Sequence, residues 1–546
     1  MFYILIKLEV IIPMKNLILL ILLLFSTLCK AQQGEWVWIS GSNTSGSVGN
    51  FGVQGVPDPA NEPPAVYEPC EWIDQDGNLW FFGGKNVNNY FCCDLWKYNI
   101  STNIWTWMKG SGVMNQYDPG VYGTIGVPAP NNHPPSSGFG NPTWVDKQGN
   151  LWLHSGFYND MWMYNISTNM WTCVNDYPTA GPVFGTMGVT DSLNNPGSGA
   201  ERTSAWTDAI GNLWLFGGSC YNIGKSNAMW CYDMVQKQWA WMKGSSSGSA
   251  PPVYGTLGVE DSANTPGARW GYSHWVDNNG YFWLFGGNAA LTGVLSRDDL
   301  WRYNPFTNNW TWIGGSITTN SLGNYGVKCY AALTNLPAAR FENRAVATDE
   351  TGNFWMFGGG KDVATGNTRN DLWLYKVSIN QWIWVSGDNI LNPPGSWGTK
   401  GLSSITNKPS GRVGAIMWSD KNGHLYMFGG SNDSYQTIPM NDLWKFTIDT
   451  MCLSTGLSDI AFTKNEITVQ PNPTTGELTI NIYQNHTGHA KFIFYNMLGE
   501  MVHSETENIL TNGFTKTINI NTLSDGVYNL VVMTNEGKLV KKVVKY

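Results

Sequence analysis

Six copies of one unit run through most of this chain, and a repeat of that kind limits the fold to architectures built by stacking similar modules. An aromatic-rich segment ending in small residues occurs at Leu79–Gly84, Leu151–Gly156, Leu213–Gly218, Phe282–Gly287, Phe354–Gly359 and Leu425–Gly430. An Asp-x-x-Gly turn precedes each copy, with its Asp at 74, 146, 208, 277, 349 and 420, in steps of 72, 62, 69, 72 and 71. The last Gly of each segment advances by the same steps, so the two features share one register. A third element follows, led by Asp94-Leu95-Trp96 and ending with Asp442-Leu443-Trp444.

The fourth element is Trp-x-Trp or its remnant: Trp105/Trp107, Trp171/Cys173, Trp239/Trp241, Trp310/Trp312 and Trp382/Trp384. It is missing after the sixth copy and present instead near the start, as Trp36-Val37-Trp38. Alternation places both Trp of a pair on one strand face. Each unit therefore offers four strands. Repeated four-stranded sheets arranged radially make a propeller, which keeps its edges short and protected. The displaced element predicts ring closure by the N-terminal strand. The fold expected is all-β: a six-bladed β-propeller over residues 32–452, then a linker at 453–465 and a small β-sandwich at 466–546. Composition agrees, with 62 Gly, 26 Pro, 29 Trp, 24 Tyr and 22 Phe but only 13% charged residues.

Gly-Gly closing the second strand, an aromatic in the third (Tyr98, Tyr164, Tyr232, Tyr303, Tyr375, Phe446) and Trp in the fourth resemble the kelch family. The departure is length, since kelch units run about 50 residues. The surplus lies between one unit's fourth strand and the next unit's first. It carries its own repeat, Tyr122-Gly123-Thr124-x-Gly126-Val127, with copies beginning at Phe184 and Tyr254 and looser ones at Phe51, Tyr325 and Trp397. Six such loops are expected to cover one face of the propeller, the face of the loop between strands two and three, and to host binding.

Residues 1–31 read as an export signal: a start at Met14, the positive Lys15, an apolar run Leu17–Phe25, and cleavage near Ala31. That run is too short for a comfortable bilayer span of about 20 residues, although a short membrane anchor is the competing reading. Elsewhere no uncharged apolar run reaches bilayer length, so no transmembrane helix is expected in the mature chain.

The landmarks of the last segment are Pro471-Asn472-Pro473, Gly476, Gly499, Gly526 and Tyr528, with lysines at the end. Their order is similar to the C-terminal sorting domain of type IX secretion cargo. The resemblance implies recognition by the type IX machinery of a Gram-negative bacterium, and release or attachment at the cell surface. A carbohydrate-binding sandwich is the competing reading.

Net charge is −8, and the acidic excess falls in residues 32–452, which excludes the basic footprint of a nucleic-acid binder. Residues shared by all units should maintain the blade, while those that break the pattern are free for function. The repeated Asp fits a hairpin turn in which it accepts backbone N–H groups. Asp74 with Asp76 stays open as a calcium pair, because only that copy carries the second acid. Cys220 and Cys231 flank neighbouring strands and form a possible disulfide, with small buried thiols as the alternative. His133, His154, His274 and His424 fall at unrelated positions, so no shared metal site is expected. Galactose oxidase is a kelch-type copper enzyme, but no motif here supports its ligand set, and no cofactor is expected.

The irregular feature is arginine. Arg202, Arg269, Arg340, Arg344 and Arg412 lie at or near the first strands of units three to six, with none in units one and two. They form either an anion site at the mouth of the propeller axis or ion pairs with neighbours such as Glu201 or Glu342. The function expected is a monomeric, exported propeller binding extracellular glycan or protein. The alternative is a carbohydrate-active hydrolase or lyase with its carboxylates on the long-loop face.

Overall fold

The computed structural model describes residues 34–177, 181–200, 204–289, 295–362, 366–433, 437–449, 452, 467–482, 488–496, 501–509, 514–534 and 537–546. The export signal, the linker, Arg202 and Gly499 lie outside these residues. The chain divides into two compact units between Cys452 and Leu453. Both are built of antiparallel strands, and a 3₁₀ turn at Val377–Ile379 is nearly the whole of the described helical content.

In the first unit each repeat forms one four-stranded core sheet. The first has the order Cys70–Ile73, Leu79–Phe82, Leu95–Asn99 and Ile104–Lys109. Sheets two to five follow the same plan. The sixth takes three strands from residues 416–447 and its outermost strand from the N-terminus, Glu35–Ser40. Trp36 pairs with Phe446 and Trp38 with Trp444. In every sheet the pairing of third and fourth strands slips just before the third-strand Trp or opposite it, as between Leu95 and Trp96, a bulge that adds twist.

The first strands pack in succession, Cys70–Ile73 beside Thr143–Val145 and so on to Ile416–Ser419. Sheets six and one share a core, in which Phe428 and Trp418 meet Phe81 and Trp96; the Phe81 and Phe428 rings stack at 5.0 Å. Indole N–H groups stitch neighbours together. Trp72 donates to Trp152 O (2.9 Å), Trp144 to Trp214 O (3.0 Å), Trp206 to Trp275 O (3.0 Å) and Trp275 to Trp355 O (3.2 Å). These bonds satisfy the one polar atom of a large buried side chain.

The long connections brace the sheets they join. Their repeated segment runs along the outer edge of the sheet it leads into. Gly126 N–H donates to Cys173 O at 2.8 Å and Gly401 N–H to Trp38 O at 2.8 Å. An Asn five or six residues on completes the contact in all six copies, from Asn61 to Trp105 O (3.1 Å) through Asn407 to Trp36 O (3.1 Å). The aromatic that opens the segment wedges against the two strand tryptophans, as Phe51 does with Trp96 and Trp107, each at 5.1 Å. The surplus residues thus cover a sheet edge that would otherwise expose unpaired N–H and C=O groups.

The second unit has two sheets, Ile467–Gln470 with Glu477–Ile482 and Phe514–Asn519, and Met501–Ile509 with Gly488–Tyr495, Gly526–Thr534 and Gly537–Lys545. Leu478, Ile480, Phe492, Phe494, Leu530 and Val532 fill its core.

Candidate functional site

The structure places Arg269, Arg340 and Arg412 in equivalent, buried positions. Each guanidinium forks onto the Asp that leads the third strand of its own sheet. Arg269 meets Asp299 at 2.6 and 2.9 Å, Arg340 meets Asp371 at 2.9 and 2.8 Å, and Arg412 meets Asp442 at 2.7 and 2.9 Å. Nη1 also donates to the carbonyl of the first Gly of Gly-Gly, at Gly286, Gly358 and Gly429. The carboxylate accepts a further bond from the indole two residues on, Trp301, Trp373 or Trp444. These forks are saturated and closed to solvent, so the anion-site expectation for these three arginines is corrected. Their partners are the third-strand aspartates, not Glu201 or Glu342.

Burial alone would raise the carboxyls of Asp299 and Asp371, but the arginine charges outweigh it and hold both below the usual carboxylate range. Sheet two lacks the arginine. Its equivalent Asp160 is pushed up to about 6 by burial, and the hydrogen bond from the Tyr122 hydroxyl only partly offsets that rise.

The Asp-x-x-Gly turn is likewise structural. Asp74 Oδ1 accepts the Asp76 and Asn78 N–H groups at 3.0 and 2.8 Å, and Oδ2 accepts the Trp80 indole at 2.8 Å. Asp146, Asp208, Asp277 and Asp349 repeat the indole bond. Both Asp74 oxygens are engaged within the turn, so the calcium reading of Asp74 and Asp76 is set aside.

Cys220 and Cys231 are not joined to each other. Gly217 and Gly218 carry the chain out of the main sheet before Cys220, which lies on the short strand Ser219–Cys220 of a separate sheet. Cys231 packs instead among Trp206, Trp214 and Phe216. The disulfide among the described residues joins Cys329 to Cys452.

Arg344 differs from the other arginines. It reaches from sheet five to Glu71 of sheet one, with Nη2 2.6 Å from Oε2. Glu71 and His274 line a cavity of about 450 Å³ that draws residues from the first strands of all six sheets. The lining position before the repeated Trp, which is Ala347 in sheet five, is Glu71, Thr143, Ala205, His274, Val346 and Met417, six different residues. Burial, then the Arg344 charge, pushes His274 down to about 3, so its imidazole is neutral at ordinary pH. Nearby, Glu68 and Glu342 adopt φ of 47° and 50°, where Gly271 and Gly414 stand in other sheets at 62° and 61°. Side chains in this left-handed region cost backbone energy and concentrate at functional positions.

A second pattern-breaking group lies at the boundary of sheets one and two. Tyr90 and Phe91 come from the loop between strands two and three of sheet one, and Phe157 from the same loop of sheet two. Tyr117 and Phe139 come from the connection between the sheets. Phe91 is the hub, with ring centroids 5.6 Å from Tyr117, 4.9 Å from Phe139 and 5.5 Å from Phe157. Tyr117 is 54% exposed and Phe157 41%. Phe139 also sits at positive φ, 57°, under the Lys85 ammonium. Among the described residues the other loops of this type carry no such array, and that contrast was the available sequence signal.

In the second unit Asn472 brackets the final strand, donating to Lys542 O and accepting from Val544 N–H. Gly476 has φ of 136°, where side chains are strained, and a Cβ there would lie 1.7 Å from Asn521 Oδ1, so any other residue would have to displace the Asn521 side chain. Tyr528 Oη donates to Ser524 O at 2.5 Å. Pro471 and Pro473 both follow cis peptide bonds, and Gly526 pairs with Lys545.

Residues 468–546 match the secretion system C-terminal sorting domain. Such a tail indicates secretion to the cell surface or outside in Bacteroidetes. No curated protein matches the chain. Among solved structures it is similar to YjhT, at 14% identity over 73% of this chain and 96% of that one, with a TM-score of 0.40. It is also similar to a protein of unknown function from Bacteroides thetaiotaomicron, at 10% identity over 76% of each chain, with a TM-score of 0.41. Among the described residues no helix is long and apolar enough to cross a membrane.

Proposed function

We propose that this chain is an exported, kelch-like six-bladed β-propeller that binds extracellular glycan through the aromatic group around Phe91. Residues 1–31 direct it across the inner membrane, 32–452 form the propeller, 453–465 link it to the tail, and 466–546 deliver it through the type IX machinery. The succession of first strands, the core shared by sheets six and one, and the cavity common to all six sheets support the propeller reading. The N-terminal strand closes the ring.

The observation that carries the binding site is the exposure of Tyr117 and Phe157 beside three further rings, Tyr90, Phe91 and Phe139. Large apolar faces held open to water lose free energy unless something covers them, and sugar rings stack on such faces while their hydroxyls meet the polar edges. The acids near the axis, Glu68, Glu71 and Glu342, surround Arg344 electrostatically or in sequence, which favours binding over hydrolysis as the primary role.

Glycan-array binding of the secreted full chain tests this, with wild type beside Tyr117→Ala/Phe157→Ala. Selective binding that the variant loses is the expected result. Equal binding by the two proteins, or no glycan bound by wild type, overturns the assignment and leaves a protein partner as the ligand class to pursue.

A further inference from the structure

In five of the six sheets the residue just ahead of the third-strand Asp or Ala is Asn or Asp: Asn159, Asn227, Asp298, Asn370 and Asn441. Where it is Asn, its amide ties down the connection that leads to the next sheet. Asn227 Nδ2 donates to Thr265 Oγ1 and Pro266 O, Asn441 to Glu62 Oε1 and Pro63 O, and Asn159 to Asn195 Oδ1. Sheet one departs from this pattern at the strand residue, and the facing connection position, which varies from copy to copy and is Leu336 or Lys408 in two others, carries a histidine. The strand residue is Cys93, whose thiol cannot make the amide's bonds. The connection residue at the place of Glu62, Asn195 and Thr265 is His133, which bridges Val121 as those residues bridge Asn50, Val183 and Val253. Two side chains that ligate metals thus replace a structural contact together.

A third ligand type completes the group. Cys93 Sγ lies 3.4 Å from Asp118 Oδ2, and His133 Nε2 lies 3.9 Å from Asp118 Oδ1. The three ligand atoms all fall within 4.8 Å of one another. We propose that Cys93, Asp118 and His133 bind a zinc-type divalent cation, with one coordination position left open. A tetrahedral ion 2.0–2.3 Å from such donors would separate them by roughly 3.3–3.6 Å, so closure needs a movement of about 1 Å. One thiolate, one imidazole and one carboxylate suit zinc and its neighbours, whereas calcium and magnesium take oxygen throughout.

The surroundings orient each donor. His133 Nδ1 is 3.0 Å from Pro134 O, and a carbonyl only accepts, so Nδ1 holds the proton and the Nε2 lone pair faces Asp118. Gly120 N–H donates to Asp118 Oδ1 at 2.8 Å, and Ser111 Oγ lies 3.2 Å from Cys93 Sγ. The backbones of Val121 and His133 exchange two hydrogen bonds, at 2.9 and 3.1 Å, which braces the loop. His133 and Asp118 side chains keep 17% and 19% of their surface in contact with solvent, enough for an ion and a fourth ligand to reach them. Tyr117 of the aromatic group is the neighbour of Asp118, so the ion would pin one of the exposed rings. The metal site does not depend on the glycan reading.

The test is metal binding by the secreted full chain, stripped with chelator under reductant and then titrated with zinc alone or cobalt(II) alone. One zinc per chain by elemental mass spectrometry is expected, and cobalt(II) should give a thiolate-to-metal charge-transfer band. Cys93→Ser should abolish that band, and His133→Gln should weaken zinc binding about 10-fold or more. Cys92→Ser, at the neighbouring thiol, should leave both readouts unchanged. Circular dichroism identifies any variant that fails to fold, and the partly exposed His133→Gln then decides. Folded wild type holding no zinc above the stripped control overturns the proposal, as does a band that survives Cys93→Ser or unchanged affinity in His133→Gln.

Discussion

The Arg340 guanidinium meets both oxygens of Asp371, at 2.9 and 2.8 Å, with neither side chain open to solvent. The pair joins the entrance of the fifth sheet's first strand to the start of its third, and Gly358 O takes a third bond from the same guanidinium. Removing one partner leaves a buried charge alone. Arg340→Ala should therefore lower unfolding free energy by about 3–5 kcal/mol in denaturant titrations. Asp371 titrates below the usual carboxylate range when folded. Its stabilisation is thus present above the unfolded value of about 3.9 and is lost as pH falls through the lower folded value.

Asp160 should show the opposite slope. Its folded carboxyl is raised to about 6 by burial, so its contribution is full below about 3.9 and is lost as pH rises through that folded value. Asp160→Asn keeps an acceptor for the Tyr122 hydroxyl, which reaches Asp160 Oδ2 at 2.5 Å. Above pH 6 the variant should be more stable than wild type by about 2 kcal/mol, with no gain near pH 4, in thermal unfolding across that range.

The N-terminal strand is the sixth sheet's outer member, and Trp36 is buried against Phe357, Trp444 and Phe446. Trp36→Ala should cost about 3–5 kcal/mol, as other large-to-small core changes do. Circular dichroism melting of the secreted chain reads the loss. An unchanged melting temperature would mean that the strand does not close the sheet.

Cys329 and Cys452 close a loop of 123 residues. A cross-link of that span restricts the unfolded chain, so Cys329→Ser should destabilise by about 2–5 kcal/mol. Reductant should bring wild type down to the variant and leave the variant where it is, in paired melting curves.

The sequence carried more of the scaffold than of the site. The Asp-x-x-Gly register and the Trp-x-Trp missing after the sixth copy were enough to assign the Trp36 strand to the sixth sheet, while its register against Phe446 came only from the structure. The sorting tail was legible from Asn472, Gly476 and Tyr528. Between an anion site and ion pairs, the sequence could not name the partners of the arginines for a physical reason: Arg340 and Asp371 are 31 positions apart, and only the assembled sheet brings them together. The Cys329–Cys452 bond was out of reach on the same ground. So was the Arg344–Glu71 pair, whose partners stand 273 positions apart. The aromatic group escaped because its rings come from three separate loops, although each ring departs from the repeat at its own position. Cys93 and His133 are likewise visible as departures once the Asn227–Thr265 contact shows what they replace.

Hydrogen exchange on the secreted chain, with and without the glycan selected by array, tests the central claim most directly. Slowed exchange confined to residues 86–92, 114–118, 137–140 and 156–158 is the result this account predicts. Protection centred on the first strands around the Glu71 cavity, or on the tail after residue 467, would contradict it.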